Sequence, residues 1–256
     1  MLVRALTTAD RAHRATGGRF DPRIVAALER IGYTGVSQGL AVPRRAGFQG
    51  AAPRHEAEPV DRILSRRGRR GPISLTEAVD LGGIGKGLAL RWAAAAIDAL
   101  ADPVRRREGA TGYLLDAGGD IVVRGAPSHG EPWHVGIEDP AGGPEPVATL
   151  KAAGRLAVAT SSIRRLHWRH DWREVHHLID PRTGEPGGRG LVAVTVAGSD
   201  PAWAEVWSKA LFLEGADGIA ALARARGLAA WWATADGRLE MTAGARMRTV
   251  WVAAEA

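Results

Sequence analysis

The sequence predicts an α+β fold, in which mixed or antiparallel sheets are covered by helices. One observation is a hairpin pattern: two β-prone runs, residues 113–116 and 121–123, flank the glycine pair Gly118-Gly119. Another is a helical pattern over residues 88–100, where apolar residues recur every three or four positions. Because hairpins and strand–helix alternation occur in one chain, we expect an α+β fold rather than a doubly wound parallel sheet.

The composition is that of an ordinary globular protein, with 45% hydrophobic and 24% charged residues among 256. We expect a single domain over residues 1–256, with a Gly/Pro/Arg-rich excursion at about 35–71. The chain has no cysteine, which excludes disulfides, thiolate metal ligands and a cysteine nucleophile.

The formal charge of +6 raises the question of nucleic-acid binding. The local excess of arginine lies around residues 62–70 and 105–107, and no aromatic residue alternates with these arginines. We therefore expect solvated loops there and no nucleic-acid partner. Residues 1–4 lack the apolar core of a signal peptide, and no apolar run approaches the ~18 residues of a membrane span. We expect a soluble, cytoplasmic protein without a transmembrane segment.

The N-terminal region predicts two helices. Residues 6–15 can form a short helix that ends at the glycines of residues 16–18. A second helix is predicted to begin at Asp21, a good N-cap, and Pro22, which suits the first helical position, and to end at Gly32. Its apolar stripe comprises Ile24, Ala27, Leu28 and Ile31.

A glycine-rich turn at residues 82–87 is the most informative stretch of the chain. It follows an apolar run, residues 73–81, which predicts a strand, and it precedes the predicted helix. Glycines let a ligand approach the backbone, a helix N-terminus attracts anions, and Lys86 adds a positive charge. The spacing matches neither a P-loop nor a dinucleotide fingerprint. A phosphate-binding turn and a turn that only lets the helix pack tightly are both compatible with the sequence.

The second half of the chain predicts further strands and two helices. Asp200 before Pro201 is a predicted N-cap, and Glu205 and Lys209, four residues apart on the helix that follows, predict a surface ion pair. The second helix is expected over residues 216–226. Strands are expected at residues 133–137, 156–159, 177–180, 191–197, 228–234, 239–242 and 247–253.

Four histidines lie between residues 167 and 177. His167 and His170, three apart, could place two zinc ligands on one helix face, although no acidic or thiolate partner has ligand spacing. His177 begins a predicted strand, where a histidine is either a hydrogen-bonded core group or a catalyst. The sequence leaves both alternatives open.

Six motifs resemble, in their order, those of the ApbE family of FAD:protein FMN transferases. They are residues 16–22 (TGGRFDP), 80–87 (DLGGIGKG), 116–120 (DAGGD), 157–162 (AVATSS), 177–184 (HLIDPRTG) and 204–212 (AEVWSKALF). The resemblance implies an ApbE-like (T-fold-like) architecture. It also implies a shortened N-terminal part, since the family pattern has further sequence with flavin contacts before the first of these motifs.

The resemblance implies transfer of the FMN half of FAD to a Thr or Ser hydroxyl of a target flavoprotein, with release of AMP. Mg²⁺ would neutralise the pyrophosphate, as phosphoryl transfer generally requires. By similarity, the residues predicted to contact FAD are Arg19, Phe20, Asp21, Asp80, Lys86 and Ile179. The residues at metal-site positions are Gly83, through its backbone carbonyl, Glu205 and Lys209.

The sequence departs from the family pattern at the metal site. Glu205 stands where Asp is usual, and Lys209 stands where Thr is usual; a protonated lysine cannot ligate a cation, but its charge could replace part of the metal's. His177 is predicted to activate the acceptor hydroxyl, with Asp180 as its partner in proton handling. Two alternatives stay open: an FAD pyrophosphatase that forms FMN and AMP, and a non-catalytic flavin-binding member.

Overall fold

The computed structural model describes residues 1–33, 62–66, 71–75, 77–101, 112–127 and 131–253. The helices are α1 (Leu2–Ala15), α2 (Val25–Arg30), α3 (Gly85–Ala101), α4 (Pro201–Glu214), α5 (Ala216–Ala225) and α6 (Ala243–Arg246). The strands of the first half are β1 (Leu64–Arg66), β2 (Ile73–Leu75), β3 (Gly112–Ala117), β4 (Asp120–Gly125) and β5 (Trp133–Ile137). Those of the second half are β6 (Ala148–Ala152), β7 (Gly154–Ser162), β8 (His167–His170), β9 (Arg173–His176), β10 (Ile179–Asp180), β11 (Glu185–Pro186), β12 (Leu191–Gly198), β13 (Ala229–Thr234), β14 (Leu239–Met241) and β15 (Thr249–Val252).

The largest sheet formed by the described residues has six strands in the order β14-β13-β12-β7-β4-β3, and each neighbouring pair is antiparallel. The predicted hairpin is its β3–β4 edge, where Gly118 and Gly119 adopt φ values of 65° and 91°. Two consecutive residues with positive φ form the tight turn that glycine makes most easily. With helices on this antiparallel sheet, the predicted α+β class is confirmed.

The two faces of the six-stranded sheet are covered differently. On one face, Val194 and Val196 of β12 pack against Leu211 of α4 and Ile219 of α5. The opposite face packs on a three-stranded sheet, β15-β6-β5, whose buried side chains include Leu150. Since side chains alternate between the faces of a strand, the Val-rich β12 supplies both cores. β6 was missed by the sequence analysis because its alanine-rich stretch has low β-propensity.

Helix α3 lies unusually close to helix α4. A Cβ atom at Gly87 would lie 2.5 Å from the Pro201 carbonyl oxygen and 2.6 Å from the Cα atom of Ala202. Only glycine fits at this crossing without moving backbone. The interpretation of the turn as a device for tight packing therefore holds at this glycine, and the N-terminus of α3 is held against the start of α4.

The N-terminal region differs from the sequence prediction in three respects. Helix α1 begins four residues earlier than predicted. The second helix begins at Val25, and Asp21 is not its N-cap, because its carboxylate accepts hydrogen bonds from Arg23 instead; the predicted apolar stripe is buried. Of the predicted excursion at 35–71, residues 35–61 and 67–70 lie outside the described residues. The solvated loop predicted around residues 62–70 is wrong at Ile63 and Leu64, which are buried and pack on α1.

Two further predictions are corrected. The predicted strand over residues 73–81 is restricted to β2, because residues 77–81 are irregular and Asp80 donates its N–H to the Pro22 carbonyl at 2.7 Å. The histidine-rich stretch is the β8–β9 hairpin rather than a helix, so His167 faces His176 across two strands. The described parts of the chain contain no group of three His, Cys, Asp or Glu residues that could hold a metal ion. Nor do they contain a helix with the length and apolar content that a membrane crossing needs.

Candidate functional site

The turn before α3 brings three segments together. Asp80 accepts the N–H of Gly82 at 2.7 Å, which fixes the carboxylate at the start of the turn. At Gly83, an added Cβ atom would lie 2.4 Å from the Lys209 ammonium nitrogen and 3.1 Å from the ring of Phe20. The absence of a side chain at this glycine therefore lets the lysine of α4 reach the turn.

Glu205 and Lys209 lie on the face of α4 that meets this turn, and the predicted surface ion pair is wrong. Glu205 is only 5% exposed, and its carboxylate accepts the N–H of Gly87 at 2.8 Å. Burial raises the pKa of Glu205 to about 7, and the negative charge of Asp120 adds to the shift. Lys209 is half-buried; burial lowers the pKa of its ammonium, while the charges of Asp80 and Glu205 act in the opposite direction.

A second lysine and a third carboxylate lie at the same helix end. The Lys86 ammonium is 2.9 Å from the carboxylate of Asp120, which also accepts the N–H of Thr160 at 3.3 Å. Asp120 is 2% exposed, and burial raises its pKa although the charge of Lys86 opposes the shift. The sequence analysis gave Asp120 no role; its position directly after the glycine pair of the β3–β4 turn was the available signal.

We call Asp80, Lys86, Asp120, Glu205 and Lys209 the acid–lysine cluster. It surrounds the N-terminus of α3, where the positive end of the helix dipole favours an anion. Two ammonium groups add positive charge; Asp120 pairs with that of Lys86, and the three carboxylates act electrostatically on that of Lys209. The side chain of Lys86 is 44% exposed, so one side of the cluster is open to a ligand. The arrangement is suited to a phosphate-bearing ligand.

His177 lies within electrostatic range of this cluster. Burial lowers the pKa of its imidazole to about 4, and the positive charge of Lys209 contributes to the shift. The ring is therefore neutral at pH 7. Its Nδ1 is 3.2 Å from the Leu166 carbonyl oxygen. Since a carbonyl can only accept, Nδ1 carries the proton and Nε2 keeps a lone pair that can receive one.

The comparisons with known proteins agree with this geometry. A family model described as "ApbE family" matches residues 1–232. This chain belongs to the ApbE family. The FAD:protein FMN transferase of Salmonella typhimurium is 27% identical over 91% of this chain, and that of Treponema pallidum is 28% identical over 95%. A Klebsiella pneumoniae protein of the same name is 30% identical over 62%. The chain spans 43% of the length of the Klebsiella relative and 64% of the Salmonella one.

Solved structures of ApbE proteins have the same fold. The ApbE protein of Thermotoga maritima is 25% identical and superposes with a TM-score of 0.74, over 95% of this chain and 76% of that one. The flavinyl transferase ApbE of Pseudomonas stutzeri is 24% identical, with a TM-score of 0.73 over 97% of this chain and 74% of that one. The predicted ApbE-like architecture is thereby confirmed.

Two of the predicted site residues of this ApbE chain lie in matching Asp-Pro-Arg turns. Asp21 accepts the N–H of Arg23 at 2.9 Å, and its two oxygens pair with the guanidinium at 2.9 and 2.7 Å. Asp180 makes the same contacts with Arg182, at 2.9, 2.9 and 2.8 Å. A carboxylate held on both oxygens by a guanidinium is a poor proton acceptor. The structure therefore does not pair Asp180 with His177, which was the arrangement predicted from the sequence.

The other three residues predicted to contact FAD, Arg19, Phe20 and Ile179, have different surroundings. Arg19 pairs with Glu214, the last residue of α4, through two of its nitrogens, and this contact lowers the pKa of that carboxyl group. Phe20 is 2% exposed and packs beside Gly83. Ile179 is also 2% exposed, and it packs against α2 rather than toward open space. The direct contact of these three residues with FAD stays a prediction.

A divalent cation does not fit the predicted metal-site residues. Of Gly83, Glu205 and Lys209, only the first two offer oxygen atoms, and the ammonium of Lys209 lies directly beside Gly83. An ammonium group has no lone pair, and its charge repels a cation. The ammonium of Lys209 thus lies where a magnesium ion was predicted.

Proposed function

We propose that this chain transfers the FMN part of FAD to a threonine or serine hydroxyl of a target flavoprotein and releases AMP. The observation that carries the proposal is the acid–lysine cluster at the N-terminus of α3, with the neutral His177 close to it. The names of the relatives support the choice of FAD as donor and of a protein as acceptor.

In the proposed reaction, the pyrophosphate lies against the N-terminus of α3 and the ammonium of Lys86. The acceptor oxygen attacks the phosphorus of the FMN phosphate, and the bond from that phosphorus to the bridging oxygen breaks. AMP leaves with the bridging oxygen and its negative charge. Nε2 of His177 takes the proton of the acceptor hydroxyl, a transfer that typically contributes about 10²–10⁴-fold to the rate. Magnesium enters no step, because the predicted metal site contains Lys209.

The remaining predicted residues receive roles that follow from their contacts. Asp80, at the start of the glycine turn, is placed to orient the turn and Lys209. Asp180 holds Arg182, whose guanidinium also donates to the Leu213 carbonyl at 2.8 Å. We therefore assign Asp180 a structural role, in which it connects the segment that carries His177 to the end of α4. Arg19 acts at the same end of α4 through Glu214.

The proposal is tested by product analysis. The protein is incubated with FAD and candidate flavoprotein subunits, and intact masses and nucleotides are measured. The expected result is a mass gain of one FMN on a subunit, lost when its modified threonine or serine is replaced by alanine, with equimolar AMP. Formation of FMN and AMP without an adduct would show that the protein hydrolyses FAD instead of transferring FMN. Saturable FAD binding without any product would show that the protein is a non-catalytic, flavin-binding member of the family.

The matched controls are two histidine variants. His177→Ala should abolish most of the product, whereas His134→Ala should leave it unchanged. His134 is exposed on β5, in the three-stranded sheet on the far side of the central sheet from α4. A His177→Ala protein with unimpaired transfer would remove the proposed base.

A further inference from the structure

We propose that the ammonium of Lys209 serves as a built-in cation, so that this chain holds the FAD pyrophosphate without a divalent metal. The inference rests on the proposed function, because it assigns the source of the charge that faces the pyrophosphate. It differs from the expectation for the family, in which magnesium has this task.

The position of the ammonium is the first argument. A Cβ atom at Gly83 would lie 2.4 Å from Nζ and 2.9 Å from Cε of Lys209, so the end of this side chain touches the turn. The same glycine was predicted to present its carbonyl to the metal. The lysine therefore reaches the turn from α4, one helical turn after Glu205, with its charge beside the N-terminus of α3.

The surrounding charges are the second argument. Asp80, Asp120 and Glu205 all act electrostatically on Lys209, and Lys86 is the other cation of the cluster. A buried ammonium needs such partners, since an isolated charge is strongly disfavoured away from water. The three carboxylates thus give the lysine the negative surroundings that a metal ion would otherwise require.

The use of lysine in this chain is the third argument. Of its 34 basic residues only three are lysines, namely Lys86, Lys151 and Lys209. Two of these three lie in the acid–lysine cluster, although arginine is used almost everywhere else. A lysine ammonium is a compact point charge, whereas the planar guanidinium is larger. The compact ammonium of a lysine can occupy a position that is suited to a metal ion.

The test measures FAD binding rather than turnover. Wild-type protein, Lys209→Thr and Lys151→Thr are titrated with FAD in EDTA and again in excess Mg²⁺, by calorimetry. Lys151 is exposed on β6, so its variant is the matched control. We expect the wild type and Lys151→Thr to bind FAD with dissociation constants that differ by less than about twofold between the two conditions. Lys209→Thr should bind about tenfold more weakly or worse in EDTA and regain affinity with Mg²⁺.

A direct metal titration supplies a second readout. With FAD bound, the wild type should take up no stoichiometric Mn²⁺ by electron paramagnetic resonance, whereas Lys209→Thr should bind one ion. The wild-type measurements remain decisive if the variant does not fold.

Two results would overturn the inference while leaving the proposed function intact. One is a wild type that binds FAD only with Mg²⁺; the other is a folded Lys209→Thr protein that binds FAD in EDTA as tightly as the wild type does. If the wild type binds no FAD in either condition, the proposed function itself fails, and the inference fails with it.

Discussion

The molecule contains two kinds of buried carboxylate, and they differ in what neutralises them. Asp21 and Asp180 each lie in an Asp-Pro-Arg turn and bind the arginine two residues later through backbone and side chain. Within the described residues, Asp120 and Glu205 are not paired with such an arginine; they face lysine ammonium groups and backbone N–H groups, and their pKa values are raised by burial. The first kind is held by an arginine of its own turn, and the second kind lies beside the lysines that we propose face the FAD pyrophosphate.

This difference separates structural from chemical roles within motifs that look alike in the sequence. Asp21 and Asp180 belong to motifs that resemble the family pattern, as Asp80 and Glu205 do. Only the surroundings distinguish them, since a carboxylate whose oxygens are engaged by a guanidinium has little capacity left for substrate. Variants of the turns should therefore change stability, and variants around the acid–lysine cluster should change activity.

The largest expected effect is on catalysis. His177→Ala should lower the rate of AMP release from FAD about 10²–10⁴-fold, because the neutral imidazole is the proposed proton acceptor. The melting temperature should change little, since the ring is only half-buried. Asp180→Asn is the comparison variant. It should lower the melting temperature and leave the initial rate largely unchanged. An Asp180→Asn protein of unchanged stability that is as slow as His177→Ala would break the distinction.

The next effect concerns stability at the first turn. Asp21→Asn removes the charge that neutralises the Arg23 guanidinium, whose side chain is 2% exposed. Breaking a buried ion pair on one side typically costs about 3–5 kcal/mol, so the free energy of unfolding in urea should fall by that order. Asp236→Asn provides the control, because Asp236 also pairs with an arginine two residues later but on the exposed surface. Equal losses in the two variants would show that burial of the turn is unimportant.

A smaller effect is expected where α3 meets α4. Gly87→Ala places a methyl group 2.5 Å from the Pro201 carbonyl oxygen, and overpacking of this kind costs about 1–3 kcal/mol. It should also weaken FAD binding, because the N–H of Gly87 and Glu205 move apart. Gly85→Ala is the matched control in the same helical turn, since its Cβ atom would meet no atom within 4 Å. Chemical denaturation of the two variants compares them directly, and an equally stable Gly87→Ala protein would contradict the close crossing.

The smallest effect is the dependence of stability on pH. The raised pKa keeps a proton on Glu205 in the folded protein up to about pH 7, whereas the unfolded chain loses it near the ordinary pKa of 4.5. The native state binds more protons in this window, so the contribution of Glu205 to stability falls as pH rises from 4.5 to 7. Glu205→Gln should remove this pH dependence. The difference in unfolding free energy, wild type minus variant, should therefore fall by about 1–3 kcal/mol between pH 4.5 and 7 when it is measured in EDTA. A difference that is flat or rises with pH would contradict the raised pKa.

The sequence predicted the parts of the fold that rest on local patterns. Three predicted features are found: the helix after the glycine turn, the β3–β4 hairpin and the Asp200 N-cap. Each depends on residues that are close together in the sequence. β1 was not predicted, because a three-residue strand in an arginine- and glycine-rich stretch carries no clear alternation.

The site was predicted in its members but not in its arrangement. Glu205 and Lys209 have the spacing of a surface ion pair, and nothing in their own helix shows that α3 covers them. Asp21 is a suitable N-cap by residue type, yet Arg23 competes for the same carboxylate. Asp120 was overlooked because its partner, Lys86, lies on another element. The arrangements of Glu205, Lys209 and Asp120 depend on contacts between segments distant in the chain, whereas the Asp21–Arg23 contact is local.

We propose that the acid–lysine cluster and His177 together direct attack of an acceptor hydroxyl at the FMN phosphate. This attack can be followed with FAD labelled with ³²P in that phosphate, incubated with an acceptor flavoprotein and this chain. We expect protein-bound label that withstands denaturation, released AMP without label, and little bound label with His177→Ala. Label that leaves as AMP, or that stays in free FMN although FAD and acceptor are both bound, would contradict it.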